Sequence, residues 1–154
     1  MLIRKIKLDV LIIIMCMFGI NVHAKNIDEC MTKAYSQIEM NQCAGLSLKA
    51  AEQELERVSK KIEEVYAHDE NFLKMLEKSQ SVWKESVKAE MDLMFPAPDK
   101  QKSYGSVYPL CASGFKLRLT LQRIEYLKAW LKGHSGGNAC SGSIMHEYCI
   151  NNEC

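Results

Sequence analysis

A stretch of fifty residues, 46–95, constrains the fold of this chain more than any other feature. It contains no glycine and no proline, the residues that most strongly interrupt regular structure, while leucine, glutamate, lysine and alanine recur along it. Its first half has apolar residues at helical spacing: Leu48, Ala51, Leu55, Val58, Ile62 and Val65. The opposite face of this predicted helix is charged and carries Glu52, Glu56, Lys60, Lys61 and Glu63. The first half is therefore predicted to be an amphipathic helix.

The second half of the stretch repeats the helical pattern after a polar break. The break is the segment from His68 to Asn71. The apolar positions beyond it are Phe72, Leu76, Trp83, Val87, Met91 and Met94. Two helices of this kind joined by a short polar segment predict an αα-hairpin whose arms close on one apolar seam. We expect Trp83 to belong to the core of this hairpin rather than to a ligand platform.

The first 24 residues have the pattern of a cleaved signal peptide. Three basic residues precede an apolar run from Val10 to Ile20, and Val22-His23-Ala24 supplies small residues for a signal peptidase. The run of about eleven residues is shorter than the roughly 20 that a membrane-spanning helix needs. We therefore expect a mature chain that starts near Lys25, has no membrane span and is periplasmic or secreted. An uncleaved anchor is the alternative.

The remaining chain is nearly neutral, with 17 basic and 18 acidic residues after 24 positions are removed from totals of 20 and 19. This balance points to no nucleic-acid or membrane partner. Basic residues concentrate late in the chain, where Lys116, Arg118, Arg123, Lys128 and Lys132 accompany a single acid, Glu125. A solvated helix face explains this run better than an anion-binding patch. About 130 residues correspond to one domain.

Six cysteines follow the signal peptide, and an even number in an exported chain indicates disulfides. The segment Ser36-Gln37-Ile38-Glu39 fits a capping box, so a helix should start there. Cys30 then precedes the helix and Cys43 lies in its second turn, which makes them a feasible disulfide pair. One continuous helix between them would hold them too far apart. Gly45 is expected to kink or stop this helix before the hairpin begins.

A third helix is predicted after a break in the chain. Phe95-Pro96-Ala97-Pro98 ends the second arm, because proline cannot continue a helix. A polar loop is expected through Ser103. The third helix runs up to Gly133 and has apolar residues at helical spacing: Leu110, Gly114, Leu117, Leu121, Ile124 and Leu131. Gly114 would permit close packing or simply weaken the helix. The prediction is an all-α, disulfide-stapled bundle, a long αα-hairpin plus a third helix, over residues 25–133.

The C-terminal tail, residues 134–154, has a different composition. It begins with a linker-like segment, and its last fifteen residues hold three cysteines, Cys140, Cys149 and Cys154, but few large apolar groups. Such a tail is either stapled by disulfides or loose. These three tail cysteines and Cys111 are candidates for disulfides. A zinc site including His146 is the alternative, but the spacing lacks close Cys-x₂-Cys pairs.

No constellation of residues typical of an enzyme is present. His23 lies in the signal peptide, His68 in the predicted hairpin turn, and His134 and His146 in the tail. A Cys111 nucleophile is disfavoured because exported cysteines are usually oxidised. We therefore predict a binding protein with no catalytic residues, metal or cofactor.

Several short motifs, in this order and spacing, resemble the lysozyme inhibitor LprI family. They span residues from about 30 to 131 and comprise Cys30 with Glu39-Met40-Asn41-Gln42-Cys43, Ala51-Glu52 with Leu55, Gln80 with Trp83, Gly105-Ser106-Val107-Tyr108-Pro109, and the step from Arg123 to Leu127. The family usually has Asp at Glu52, Asn at Glu56 and Tyr at Ser59. The resemblance implies a small exported helical domain of bacteria.

The family also commonly has a second cysteine pair at the positions of Met91 and Phe115. Both are apolar here, as expected if a buried bridge became an apolar contact, so we infer that Met91 and Phe115 touch. Loss of that bridge would remove about 2 to 4 kcal/mol of stabilisation, partly offset by apolar burial. Cys111 lies one helical turn before Phe115, so it is a candidate to pair with a tail cysteine instead.

The resemblance implies an exported protein that binds a lysozyme, a muramidase, and blocks its sugar-binding cleft sterically. The candidate presenting elements are the loop from Pro96 to Tyr108 and the hairpin turn from His68 to Asn71, because both are polar and lie at the ends of rigid arms. The basic third helix is unfavourable for binding a cationic enzyme. The alternative is a periplasmic immunity or envelope-interaction protein that binds another toxin or cell-wall enzyme. The sequence also leaves open whether the protein forms a dimer.

Overall fold

The computed structural model describes residues 29–136 and 139–152, and this part of the chain is helical. After helical residues 29–33, the helices are α1 (Gln37–Val65), α2 (Glu70–Met94), α3 (Lys100–Tyr104), α4 (Tyr108–Lys132) and α5 (Glu147–Asn151). A 3₁₀ turn, Gly105–Val107, joins α3 to α4. The predicted all-α class and helical hairpin are confirmed. The predicted signal peptide and Cys154 lie outside the described residues.

The predicted capping box starts α1. The backbone N–H of Glu39 donates to the Ser36 hydroxyl at 3.2 Å, and the Glu39 carboxylate accepts from the backbone N–H of Ser36 at 2.9 Å. Hydrogen bonds from the backbone N–H of Tyr35 and then from Ser36 lower the pKa of the Glu39 carboxyl. Cys30 and Cys43 form a disulfide across this start, with Cα atoms 5.7 Å apart, as their positions around the cap predicted.

Gly45 does not stop the helix, because α1 continues through it as one helix of 29 residues; a kink at this position stays a prediction. A glycine inside a helix costs about 1 kcal/mol relative to alanine. Here the neighbours Cys43, Ala44 and Ser47 are all buried, so tertiary packing offsets the poor helix propensity. The first arm of the hairpin therefore begins nine residues earlier than the glycine-free stretch indicated, at Gln37 rather than at residue 46.

The contact between α1 and α4 organises the bundle. These two helices make most of the close backbone approaches between elements, whereas α2 approaches α4 less closely. Small buried residues, Ala44, Ser47 and Ala51, occupy the N-terminal half of α1 and permit this approach. The core at the other half is built from Leu55, Val58, Ile62, Tyr66, Leu76, Ile124 and Leu127.

The predicted apolar seam is confirmed with one exception on α2. Leu76 and Val87 are buried and Trp83 is partly buried against the core, but Met94 is 47% exposed. Met94 is the last residue of α2, directly before the C-cap Phe95, so it lies at the end of the seam. The five charged residues predicted on the outer face of α1 are all exposed.

Two details after α2 differ from the predictions. The expected loop through Ser103 contains the short helix α3, which the Asp99 side chain caps by accepting from the Lys102 backbone N–H at 2.9 Å. Gly114 and Leu121 of α4 face solvent instead of the seam, and nothing lies within 4 Å of a Cβ built on Gly114. Because α4 has apolar residues on more than one face, their spacing alone does not identify the buried side.

The tail docks on the end of the bundle next to the hairpin turn. The Tyr66 side chain is 2% exposed; its hydroxyl donates to the Trp130 carbonyl at 3.1 Å and accepts from the Met145 N–H at 3.0 Å. Burial raises the pKa of this hydroxyl. Gly133 ends α4 with φ of +75°, and a Cβ there would lie 2.6 Å from Ile150 Cδ1, so only glycine fits this turn.

We expect Tyr66→Phe to lower the free energy of unfolding by about 1–3 kcal/mol, because the Met145 N–H and the Trp130 carbonyl each lose a hydrogen-bond partner. Tyr35→Phe is the matched control, since Tyr35 is 93% exposed, and it should change stability by less than about 0.5 kcal/mol. Urea unfolding of the oxidised protein measures both. Equal stabilities for the two variants would contradict the role of Tyr66.

Candidate functional site

A hydrogen-bonded polar chain joins the three long helices. Gln80 of α2 donates from Nε2 to the Ser59 hydroxyl of α1 at 2.7 Å, and its Oε1 accepts from Arg123 Nε of α4 at 2.7 Å. Arg123 Nη2 also donates to the Ser79 hydroxyl at 2.8 Å. We call Ser59, Gln80 and Arg123 the three-helix junction. The side chains satisfy one another, so the junction holds the helices in register.

Aromatic rings enclose the Arg123 guanidinium at the junction. Its Cζ lies 5.9 Å from the ring centroid of Trp83 and 5.2 Å from that of Tyr126, which is typical of cation–π contacts. Burial lowers the pKa of this guanidinium. Two residues of the predicted solvated basic face of α4 are therefore not simply solvated. Arg123 is partly buried, and Lys116 pairs with Glu52 of α1 at 2.8 Å.

An aromatic cluster shapes the chain between α2 and α4. The Phe95 ring is 9% exposed and meets Tyr104, Tyr108 and Phe115 edge-on, with centroids 5.5, 5.2 and 6.3 Å apart respectively. The Ala97 N–H donates to the Tyr104 hydroxyl at 3.1 Å. This cluster folds the segment after Pro96 onto the end of the bundle. We call residues 96–107 the end segment.

The end segment is also tied to α1. Asn41 Nδ2 donates to the Ser106 carbonyl at 2.9 Å, and Gln37 Nε2 donates to Asn41 Oδ1 at 2.9 Å. The outward side of the segment is exposed, including Lys102, Ser106 and Val107. The end segment therefore combines a fixed backbone with side chains that a partner can reach.

The two predicted presenting elements lie at opposite ends of the bundle. The end segment sits beside the start of α1, whereas the turn from His68 to Asn71 follows its end, and 29 helical residues span about 40 Å. Asp69 in this turn caps α2 by accepting from the Phe72 N–H at 2.9 Å. The structure does not bring the two elements together, so they cannot form one site.

The suggested disulfide between Cys111 and a tail cysteine is not formed. Cys149 is disulfide-bonded, but Cys111 is an exposed free thiol, so Cys111 does not pair with a tail cysteine. Cys111 lies in the first turn of α4, while the tail docks beyond its last residue, about 30 Å away. No three His, Cys, Asp or Glu side chains within residues 29–136 and 139–152 are grouped to hold a metal ion.

The tail histidines pair with each other instead. The rings of His134 and His146 meet edge-on with centroids 5.3 Å apart, beside a short parallel β-bridge between the two residues. The His134 N–H donates to the Met145 carbonyl, and the Glu147 N–H donates to the His134 carbonyl, each at 3.0 Å. This pair fastens the tail to the end of α4.

The inferred contact between Met91 and Phe115 stays a prediction. Phe115 packs edge-on against Phe95, and the Arg118 guanidinium lies 4.9 Å from the Phe115 ring centroid. Met91 is partly buried on α2, one turn before Phe95, and the Phe95 N–H donates to the Met91 carbonyl. Phe115 thus belongs to the aromatic cluster, and Met91 lies one helical turn before the Phe95 ring of that cluster.

Together, the fold and its exposed end segment define the class: a small, disulfide-bonded helical domain without a grouped metal site among its described residues. None of the helices in that part of the chain combines the length and hydropathy needed to cross a membrane. A family model described as lysozyme inhibitor LprI matches residues 28–127, about two thirds of the sequence. The chain belongs to the lysozyme inhibitor LprI family. No curated protein and no solved structure matches it.

The motif residues that carried the resemblance occupy internal contacts. Gln80 and Arg123 form the three-helix junction with Trp83 beside it, and Asn41 holds the end segment through Ser106. Sequence reasoning missed these contacts, because polar residues spaced far apart along the chain show no local pattern. Their shared presence in one family motif was the available signal.

We expect Arg123→Lys to lower the free energy of unfolding by about 1–2 kcal/mol, because lysine lacks the planar fork that reaches Gln80 and Ser79 together. Arg57→Lys is the control, since Arg57 makes an exposed pair with Glu54, and it should cost less than about 0.5 kcal/mol. Urea unfolding measures the difference. Arg123→Lys with wild-type stability would show that the junction contributes little.

Proposed function

We propose that this protein is exported and binds a lysozyme, blocking its sugar-binding cleft without catalysing a reaction. The observation that carries the proposal is the family match, which covers α1 and α2, the end segment and most of α4. The Cys30–Cys43 disulfide agrees with an oxidising compartment outside the cytoplasm. The signal-peptide pattern in the first 24 residues supports export as well.

The end segment is the element best suited to enter a cleft. Phe95 and its aromatic neighbours hold it at one side, and Asn41 holds it at the other. A segment whose backbone is fixed before binding loses less conformational entropy when the complex forms. Lys102, Ser106 and Val107 project from it into solvent. Inhibition then follows from occupancy of the cleft, since a rigid protrusion excludes the polysaccharide.

Electrostatic attraction contributes little to this complex, so the contact must depend on shape complementarity and apolar burial. The end segment contains Lys100 and Lys102 beside Asp99, and the adjacent helix α4 is basic. A basic surface does not attract a cationic enzyme at long range. Val107, at 39% exposure, is the large apolar side chain of the segment that a cleft could bury. We therefore assign it the central place in the contact.

We expect Val107→Glu to abolish inhibition or weaken it at least about tenfold, because burying an unpaired carboxylate in an interface opposes binding. Met75→Glu is the matched control, since Met75 is an exposed apolar residue of α2 outside the end segment and should tolerate the same change. The measurement is clearing of bacterial cell walls by one chicken-type and one goose-type lysozyme, titrated with oxidised protein purified after export.

Three outcomes are distinguishable in this assay. Inhibition that saturates near one equivalent and is lost only in Val107→Glu supports the proposal and its surface. Inhibition unaffected by Val107→Glu but weakened by Glu70→Lys would move the contact to the hairpin turn. Full lysis at high molar excess of folded protein would overturn inhibition of these enzymes. The alternative partner, a toxin or another cell-wall enzyme, would then be sought by capture from envelope extracts.

A further inference from the structure

The outward face of α4 presents an open, nearly flat surface that the other described helices leave exposed around Leu121. Six residues of this one helix line it: Gly114, Leu117, Arg118, Leu121, Gln122 and Glu125. We call this set the outer face of α4. Leu117 and Leu121 supply the large apolar side chains of this face, and Leu121 is 48% exposed. Exposed apolar surface flanked by charges is typical of protein interaction sites.

Two opposite charges flank Leu121 at nearly equal distances along the helix. Arg118 lies three residues before it and Glu125 four residues after it, so each is about one turn away on the same face. Arg118 rests on the Phe115 ring, and Glu125 pairs with Lys128 at 2.7 Å. An exposed pair within one helix contributes little, so Glu125 can turn to a new partner.

We propose that the outer face of α4 binds the same face of a second copy of this chain, with the helices antiparallel and the two-fold axis at Leu121. This arrangement places Arg118 opposite Glu125 of the second copy, and the symmetry repeats the pair. A parallel pairing would instead place each charge opposite its own kind. Arg118 and Glu125 are thus complementary to each other between copies in the antiparallel orientation.

The position of the axis also maximises apolar burial. Leu121 lies near the middle of α4, a helix of 25 residues, so two antiparallel copies overlap along most of their length. Leu121 becomes buried, the partly buried Leu117 is covered further, and the open space beside Gly114 lets the helices approach closely. None of the six residues that line the outer face of α4 belongs to the end segment, so variants can test the two contacts separately.

The charge pattern gives a direct test by charge reversal. Arg118→Glu or Glu125→Arg alone should weaken the dimer roughly tenfold or more, because each creates two like-charge contacts. The double variant Arg118→Glu/Glu125→Arg exchanges the charges and should recover most of the wild-type affinity. Sedimentation velocity from about 1 to 300 µM measures the dissociation constant. Circular dichroism checks that each variant is folded.

A monomeric wild-type protein throughout this range would overturn the proposal. So would a dimer that the single reversals leave unchanged, or one that the double variant fails to restore. Inhibition of lysozyme by a protein that never dimerises would leave the proposed function intact, whereas a dimer without inhibition would leave only this inference. If the wild type is monomeric and the folded single variants lose inhibition, the outer face of α4 would be assigned to a partner other than a second copy.

Cross-linking tests the position of the two-fold axis. In a Cys111→Ser background, Leu121→Cys should form a disulfide with itself between copies under mild oxidation, detected as a covalent dimer that contains peptide 121 linked to peptide 121. Val82→Cys is the control, because Val82 is 55% exposed but lies on α2 outside this face. Equal cross-linking of the two variants would contradict the predicted axis.

Discussion

The packing of α1 against α4 is the contact on which the rest of the structure depends. Small buried residues in the first half of α1 let the two backbones approach, and larger aliphatic residues fill the second half. Both ends of this helix pair then anchor another element. Asn41 fixes the end segment at one end, and Tyr66 fixes the tail at the other. The second arm of the hairpin completes the bundle through the three-helix junction, where Gln80 bonds to both partners.

The family motifs report this internal framework rather than a binding surface. Gln80, Trp83 and Arg123 meet at the junction, and Asn41 contacts the turn that contains Ser106. Such residues specify how three helices and one connection fit together. The side chains that a partner would meet, such as Lys102 and Val107, lie beside the motifs on the solvent side. Family membership therefore identifies the scaffold more strongly than it identifies the partner.

Local chemistry made much of the fold predictable. The capping box at Ser36, the prolines after Phe95 and the terminal Gly133 each act through nearby backbone groups, so the helix ends they mark were readable from the sequence. The predicted helix stop at Gly45 failed because the sequence does not show that the neighbours of this glycine are buried. Leu121 was assigned to the seam but is exposed, because α4 has apolar residues on several sides. The Tyr66 contacts lie 64 and 79 residues away along the chain, and no local pattern announces them.

The placement of polar and apolar groups separates two tasks on one small domain. The end segment is rigid because an aromatic cluster lies beneath it, and that cluster also ends α2 and starts α4. The outer face of α4 is apolar although α4 already buries residues such as Ile124 and Leu127. A solvated helix face needs no such apolar residues, so their presence favours a covered surface. One end of the bundle is thus suited to a protein cleft, while its flank is suited to another helix.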